Sequence, residues 1–316
     1  MNIIGIDVSK NSFDVAWQSE SGYQSQVYEY TDVGINALLA EIGEAAHYVM
    51  EATGVYHARL ALKLYEAGCA VSVVNPLVIK RYSQQQLRRV KSDKADARLI
   101  CEYGQSATLT RWEPSAEVIV DLSQAHGWLD DLIVERTRVV NRREALVHQA
   151  RVNPFVLRQM DKQLAQLAQQ IEACEQHLEA VVKKHFAPLY SRLLSIRSIG
   201  PKTALELIII THGFTRFDQV KSLSAYVGLS PTTYRSGTSV RGAGHIAKLG
   251  NGRIRQLLYL CSWTAKRCNR ACAQLHARLK AAGKPPKVIN IAIAHKLLRQ
   301  AFAVATKGEM YSEKAL

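Results

Sequence analysis

The chain has 316 residues, of which 47% are hydrophobic and 22% charged, a composition typical of a globular protein with two or three cores. Its six cysteines include no CxxC pair and are too few for a disulfide scaffold. The first residues do not read as a signal peptide, and we find no apolar run near the ~20 residues that span a bilayer. We therefore expect a cytoplasmic protein with no membrane partner.

The positive charge is concentrated at one end of the sequence. Lysine and arginine outnumber aspartate and glutamate by 41 to 27, a net charge of +14. Residues 1–112 carry a net charge of −1 and residues 113–190 of −2, whereas residues 191–316 carry +17. Such segregation is typical of a nucleic-acid-binding module, because neutralised phosphates release counterions. Binding to ribosomes or to a membrane surface would give the same composition.

Strand and helix patterns alternate over residues 1–112. β-Branched runs and two-residue alternation predict three strands, at 2–8 and around Val15 and Tyr28. Helices and strands then follow in turn at 34–42, 47–50, 56–67 and 70–74, and a last helix begins near Ser92. Three strands followed by αβαβα is the order of a ribonuclease-H-like sheet. We expect an α/β domain of that kind.

Long helices are predicted for residues 113–190. Apolar residues recur at heptad-like spacing over 122–150 and 164–181, with a break at Asn153-Pro154. The pattern fits an antiparallel coiled-coil hairpin, a dimer seam or an ordinary helical bundle. Arg136 and Arg143 fall on the apolar seam, where a self-contained core would bury them at a cost, and this favours dimerisation.

Residues 191–316 are predicted to be mainly helical. Residues 193–204 read as a helix, a Gly-Pro turn and a second helix that begins near Lys202, a pattern similar to the helix-hairpin-helix motif that holds a DNA phosphate. Ser198 stands where that motif usually has its first glycine. A purely structural helical hairpin is an equal alternative.

Four acidic residues lie at the ends of predicted elements in the first domain. Asp7 sits within an apolar strand, Glu51 directly follows another, and Asp93 and Asp96 share one face of a helix. In a ribonuclease-H-like sheet these positions converge. Carboxylates without other ligand types suit two Mg²⁺ or Mn²⁺ ions. Alternatively, Asp93 is a helix cap and Asp96 a solvated charge near Arg98.

A glycine-rich loop with hydroxyl and basic side chains precedes the predicted helix at 254–268. Glycines let a backbone approach phosphates, and cations stabilise the charge that develops on them. A serine in this loop is a candidate nucleophile, or the serines only donate hydrogen bonds to a bound phosphate. The basic candidates for nucleic-acid binding are Arg235, Arg241, His245, Lys248, Arg253 and Arg255, together with Lys202.

An ordered set of motifs extends over essentially the whole chain. It comprises GIDVSK, EATG after an apolar strand, SDKADAR on a helix, a coiled-coil middle, IGPKTA, and GLSP…YRSGTSVRG…GNGRIRQLLY. In these motifs the chain resembles the DEDD transposases of insertion sequences, the family of bridge-RNA-guided recombinases. The resemblance implies a RuvC-like metal-binding domain (1–112), a coiled-coil dimerisation region (113–190) and a C-terminal transposase domain (191–316).

The resemblance also implies the roles of particular residues. Asp7, Glu51, Asp93 and Asp96 would form the metal site, and Ser236 would attack DNA to give a covalent phosphoserine, with Ser239 as the competing choice. The expected partners are donor and target DNA, a structured guide (bridge) RNA, Mg²⁺ or Mn²⁺, and further copies of the chain, as a dimer or a dimer of dimers. The expected location is the bacterial cytoplasm, on the nucleoid.

Three other functions compete with this one. A metal-dependent nuclease or Holliday-junction resolvase would need only the four acids and activated water. A sugar-kinase-like ATPase would explain IIGIDVSK, but the sequence has no later glycine-rich adenosine loop. A non-catalytic nucleic-acid scaffold would explain the charge alone.

Overall fold

The protein, represented by a computed structural model, divides into two compact units, Met1–Pro114 and Ser115–Leu316. The structure describes residues 2–52, 54–87, 92–232, 235–236, 240–241, 245–246 and 250–313, and only the backbone of the short strands between 231 and 245. Most of the described residues are helical, and the first unit contains a mixed five-stranded sheet.

The sheet of the first unit has the strand order β3-β2-β1-β4-β5. Strands β1 to β3 are antiparallel, and β4 and β5 run parallel to β1. The elements are β1 Ile3–Val8, β2 Ser12–Ser19, β3 Gly22–Glu29, α1 Asp32–Ile42, β4 His47–Glu51, α2 Tyr56–Glu66, β5 Ala70–Val74, α3 Pro76–Gln85 and α4 Asp93–Ser106.

The predicted succession of strands and helices is confirmed, with one helix added. Helix α3 lies between β5 and α4, where the sequence patterns predicted no helix. Asn75 caps it by accepting a hydrogen bond from the Leu77 amide at 2.9 Å, and Pro76 fits the first helical position. Its apolar content is low, and Ile79 is its one buried residue, so periodicity gave little signal.

Helix α4 packs directly on the central strand β1. A Cβ atom at Gly5 would lie 2.2 Å from the Ala97 carbonyl oxygen and 2.3 Å from the Cys101 amide nitrogen, so only glycine allows this approach. The Cys101 thiol donates to the Ile3 carbonyl at 3.2 Å. Because Ile3 and Gly5 contact successively earlier residues of α4, the helix runs antiparallel to the strand. The first turn of α4 therefore lies toward the end of β1.

The second unit begins with two long antiparallel helices, α5 Glu117–Val147 and α6 Pro154–Leu194. Asn153 caps α6 by accepting from the Phe155 amide at 2.9 Å, at the predicted break. The expectation that seam arginines would be buried at a cost is wrong. Arg136 is exposed, and Arg143 binds Asp161 of α6 at 2.6 Å, so the hairpin accommodates both within one chain.

The remaining helices surround a core that they share with the end of α6. They are α7 Pro201–Thr211, α8 Val220–Val227, α9 Gly252–Cys268, α10 Arg270–Ala281 and α11 Pro286–Lys307, with short strands β6 Pro231–Thr232, β7 Arg235–Ser236, β8 Val240–Arg241 and β9 His245–Ile246 before α9.

Within the described residues, α11 is the one helix long and apolar enough to cross a membrane. Half of its apolar stretch is buried inside the unit, where it packs against α9, α10 and α6. Fully buried residues along it include Ile293, Leu297 and Ala301. These contacts are those of a core helix, which passes the same test of length and hydropathy.

Candidate active site

Two strand ends bring acidic residues together in the first unit. Asp7 lies near the end of β1, and Glu51 is the last residue of the neighbouring parallel strand β4. The parallel register pairs Ile6 with Met50. Asp7 and Glu51 are the next residues of the two strands and therefore lie side by side. Ile6 and Met50 are fully buried, and alternation directs the two acids to the other face of the sheet.

The other two predicted acids lie in the first turn of α4. Ser92 caps this helix by accepting from the Ala95 amide at 3.3 Å, so Asp93 is free of the capping role considered for it. Arg98, the other structural explanation, binds Glu102 at 2.9 Å and stacks over the ring of Tyr23. The glycine contact at β1 positions this turn beside Asp7.

The charges of these residues are coupled. The pKa of Asp7 is raised from 3.8 to about 6, first by burial and then by neighbouring carboxylates. Such an effect requires the acids to lie near one another, as the convergence argument predicted. The contributing carboxylates are, in order, those of Asp96, Asp93, Glu51 and Asp14.

Asp14 is a fifth acid that sequence reasoning missed. It lies on β2 directly opposite Asp7 in the antiparallel register, and such pairs place side chains on the same face. Its own pKa is raised, by burial and then by the charge of Asp93. The signal was present in the sequence, because the short turn between Val8 and Ser12 fixes the hairpin register that pairs the two aspartates.

Carboxylate oxygens without nitrogen or sulfur are donors for a hard divalent cation. Among the described residues, however, no three histidine, cysteine, aspartate or glutamate side chains are arranged to hold a metal ion. The acids are thus near enough to repel one another but do not form a closed ligand set. This excess of like charge, together with the partial burial of Asp7, fits a site that binds a cation.

The two ends of the predicted serine loop lie close together in the second unit. The Leu229 amide donates to Ser224 at 3.0 Å, and the Asn251 amide donates to Tyr226 at 3.0 Å. Asn251 also caps α9, accepting from the Arg253 amide at 3.0 Å. Both ends of the loop are therefore anchored to α8 and to the start of α9.

Within the loop the structure describes two small antiparallel pairs of strands. Ser236 on β7 pairs with Val240 on β8, and Arg235 pairs with Arg241. His245 on β9 pairs with Thr232 on β6. Ser236 therefore lies in a short hairpin between two arginine positions. Ser239 and Lys248 lie outside the described residues.

The other predicted nucleic-acid ligands take part in contacts of the fold. Lys202 binds Glu175 of α6 at 2.5 Å, and Arg253 binds Asp130 of α5 at 2.6 Å. Arg255 donates to the Val227 carbonyl at 3.2 Å. Lys202 thus links α7 to the long helical hairpin, Arg253 links α9 to it, and Arg255 links α9 to the end of α8.

A buried contact between two polar side chains supports the same region. His126 of α5 lies 2.9 Å from a carboxylate oxygen of Glu206 on α7, and the Glu206 side chain is 5% exposed. Asp130, the partner of Arg253, is one turn further along α5, 4.0 Å from the other ring nitrogen. Sequence reasoning missed this pair, because its members are 80 residues apart and each falls within an apolar helical pattern.

The turn before α7 keeps the backbone of the predicted hairpin. Ser198 has a φ of +89°, the conformation that favours glycine, at the position where the helix-hairpin-helix motif usually has glycine. Gly200 precedes Pro201, the first residue of α7. The serine substitution therefore leaves the shape of the turn in place at a cost in backbone strain.

Comparison with known proteins gives consistent matches along the chain. Residues 4–152 match a family model for DEDD transposases of the IS110 type, described as a transposase, and residues 190–277 match a model described as a transposase of the IS116/IS110/IS902 family. The pilin gene-inverting protein of Moraxella bovis is 30% identical over 98% of each chain. The transposase for insertion sequence element IS1328 of Yersinia enterocolitica is 24% identical over 99% of each chain.

Among solved structures, T. thermophilus RuvC in complex with Holliday junction substrate aligns with 35% of this chain and 99% of that chain. The sequence identity is 16% and the TM-score is 0.25.

Proposed function

This chain belongs to the IS110 family of transposases, and from that premise we propose that it exchanges DNA strands through a covalent phosphoserine at Ser236, assisted by a divalent metal held by Asp7, Glu51, Asp93 and Asp96. The observation that carries the proposal is the coupling of the Asp7 carboxyl to acids from β4 and α4. A structured guide RNA that pairs with donor and target DNA would choose the sites.

The strand order of the first unit supports a ribonuclease-H-like domain. Three antiparallel strands are followed by two strands parallel to the first, with α4 packed over the central strand. In this arrangement the acids lie at one edge of the sheet. We propose that Asp7, Glu51 and the two acids of α4 close around Mg²⁺ or Mn²⁺, and that Asp14 adds negative charge to the site.

The metal would stabilise negative charge that develops on a DNA phosphate. The chain's own acids would orient it and, by their mutual repulsion, favour its binding. A positive charge nearby would favour the ionised form of the partly buried Asp7 carboxyl and lower its raised pKa toward the ordinary value.

The serine step conserves the energy of the phosphodiester bond. The Oγ atom of Ser236 forms a bond to phosphorus, the bond between phosphorus and a deoxyribose oxygen breaks, and the serine proton passes to that oxygen, which leaves as a hydroxyl group. Attack by a DNA hydroxyl reverses the step and releases the serine. Arg235 and Arg241, paired across the same hairpin, would be placed to stabilise the phosphate.

The long helical hairpin supports an assembly of several copies. Apolar side chains remain exposed on it, among them Trp128 at 57% and Phe155 at 62%. We propose that these helices form a dimer, and that metal site and serine come from different subunits of a dimer or a dimer of dimers on DNA. The proposed location is the cytoplasm, on the nucleoid.

Hydrolysis is the second candidate function. The coupled acids would suffice for a metal-dependent nuclease or junction resolvase that uses activated water. Strand exchange is favoured because a relative that aligns over 98% of this chain is named a pilin gene-inverting protein. Inversion requires that the broken ends be rejoined.

A plasmid assay tests the proposal. The full chain, with the RNA that copurifies with it, is incubated with plasmids carrying the element's ends and its target, and joined products are counted by sequencing. We expect Asp7→Asn and Ser236→Ala to lower joining by at least about 1,000-fold, as for loss of a catalytic group. Ribonuclease treatment should abolish it.

Matched controls exclude indirect effects. Asp32→Asn and Ser222→Ala change exposed residues of the same types outside the two sites and should leave joining unchanged. Circular dichroism should show that all variants fold. Full joining by Ser236→Ala would refute the serine mechanism, whereas linear products without joining would favour the nuclease.

A further inference from the structure

A basic groove lies between α10 and α11 in the second unit. It has a volume of about 440 Å³. Arg278 lines it from α10, and Lys296 and Arg299 line it from α11. No carboxylate among the described residues lines the groove, whose apolar floor includes Leu275. None of the sequence motifs singled out above includes these residues.

The three cations have no counter-charge among the residues that the structure describes. Within the described part of the chain, no ion pair joins Arg278, Lys296 or Arg299 to a carboxylate. Lys202 and Arg253, by contrast, each bind an acid of the long hairpin. Three neighbouring positive charges without partners repel one another and create a potential that favours a polyanion.

Hydrogen bonds fix the helices on both sides of the groove. Gln300 of α11 accepts from the side-chain amide of Asn269, the cap of α10, at 3.0 Å, and donates to the Tyr311 hydroxyl at 3.1 Å. His295 contacts the Ser224 hydroxyl at 3.0 Å. The groove is therefore preformed, and the Gln300 side-chain amide and Nε2 of His295 in its wall already have hydrogen-bond partners.

We propose that this groove holds the sugar–phosphate backbone of duplex DNA without reading its sequence. The inference deepens the proposed function, because it names a surface that would hold the DNA of that reaction. Its cations offer donors that match phosphate oxygens, and its small apolar residues fit against deoxyribose.

Two features of the lining favour duplex DNA over other nucleic acids. Among the described residues no phenylalanine, tyrosine or tryptophan lines the groove, whereas grooves that hold single strands stack bases on such rings. A 2′-hydroxyl could accept a hydrogen bond from the cations, but they offer no acceptor for its proton, and the Gln300 side-chain amide and Nε2 of His295 already have partners. The groove therefore offers little that selects RNA.

Binding of a 30-base-pair DNA duplex of mixed sequence tests the proposal. Fluorescence anisotropy is measured with the full chain in EDTA between 50 and 300 mM NaCl, on a Ser236→Ala background so that chemistry does not contribute. Replacing Arg278, Lys296 and Arg299 together by glutamine should lower affinity at least about ten-fold. It should also reduce the slope of log K against log salt by about 3, one for each lost phosphate contact.

The control variant carries the same loss of charge on the long hairpin, where Arg158, Lys162 and Lys184 are exposed on α6. Replacing these three by glutamine should change the slope by less than about 1. Lys296 is half-buried, so its replacement could disturb folding, and the double variant Arg278→Gln/Arg299→Gln changes only two exposed positions. This variant should reduce the slope of log K against log salt by about 2. Lysine at both arginine positions should restore binding, since phosphate contact needs charge alone.

Three results would overturn the inference. An unchanged slope in both groove variants would show that the groove does not contact phosphates. An equal loss of affinity for a single-stranded 30-mer, or for an RNA duplex of the same sequence, would refute the assignment to duplex DNA. Because no chemical step is measured, failure here leaves the serine mechanism intact, and failure of strand joining leaves this result intact.

Discussion

Replacing Asp7 by asparagine should stabilise the metal-free protein at neutral pH. The pKa of Asp7 rises from 3.8 to about 6 on folding, because of burial and then neighbouring carboxylates. A carboxyl with a raised pKa contributes stability that is present below pH 3.8 and lost as the pH rises through about 6. The pKa difference corresponds to about 3 kcal/mol, and because the group is only partly shielded from water, we expect about half of this, roughly 1.5 kcal/mol.

Urea unfolding of the full chain in EDTA, followed by pulsed hydrogen exchange in β1 and β4, measures this gain locally, because a chain of two units need not unfold in one step. At pH 7.5 the free energy of unfolding of Asp7→Asn should exceed that of the wild type by about 1.5 kcal/mol, and at pH 4 the difference should be only about a few tenths of a kcal/mol. Magnesium should stabilise the wild type more than the variant, because the variant lacks a proposed ligand.

The control is Asp32→Asn, which removes a carboxylate that binds Arg59 at 3.0 Å on the same unit. This variant should be slightly destabilised at neutral pH, the opposite sign to Asp7→Asn. Equal stability of wild type and Asp7→Asn at pH 7.5, or a gain that persists undiminished at pH 4, would falsify the electrostatic argument.

Three further stability changes follow from the packing, each measured by urea unfolding. Gly5→Ala should lower the free energy of unfolding by about 3 kcal/mol, because the new Cβ meets the backbone of α4. The control Gly127→Ala, in open space on α5, should raise it by about 0.5–1 kcal/mol. A tolerated Gly5→Ala would contradict the close approach of α4 to β1. Ser198→Gly should raise the free energy of unfolding by about 1 kcal/mol, because it removes backbone strain at a φ of +89° and a buried hydroxyl without a partner among the described residues. A loss of stability would mean that this hydroxyl is hydrogen-bonded. His126→Ala should cost about 1–3 kcal/mol by removing the polar neighbour of the buried Glu206 side chain, and an unchanged stability would contradict the pairing.

The first unit was largely predictable from the sequence because its signals are local. The apolar runs around Asp7 and Glu51 predicted buried strands, and Ser92 indicated the start of α4. Helix α3 was missed because it buries little and is held by its cap. The approach of α4 to β1 depends on Gly5, and a single glycine in a strand does not reveal which element lies over it.

The candidate site was predicted in part. Four acids were recognised because Asp7 and Glu51 lie within or directly after apolar strands and Asp93 and Asp96 share one helix face. Asp14 was not recognised, since its place beside Asp7 depends on hairpin register. The ion pairs of Lys202 and Arg253 join residues far apart in sequence, which composition cannot reveal. For the same reason the net charge of the C-terminal segment did not distinguish paired cations from the unpaired ones between α10 and α11.

The identity of the residue that becomes linked to DNA tests the central claim most directly. The full chain is incubated with RNA and with plasmids carrying the element's ends, denatured, digested with nuclease and protease, and analysed by mass spectrometry for peptides that carry a nucleotide. Our account predicts a nucleotide phosphate on Ser236 that is absent from Ser236→Ala and retained in Ser239→Ala. A nucleotide on Ser239, or joined DNA products without any protein-linked nucleotide, would contradict it.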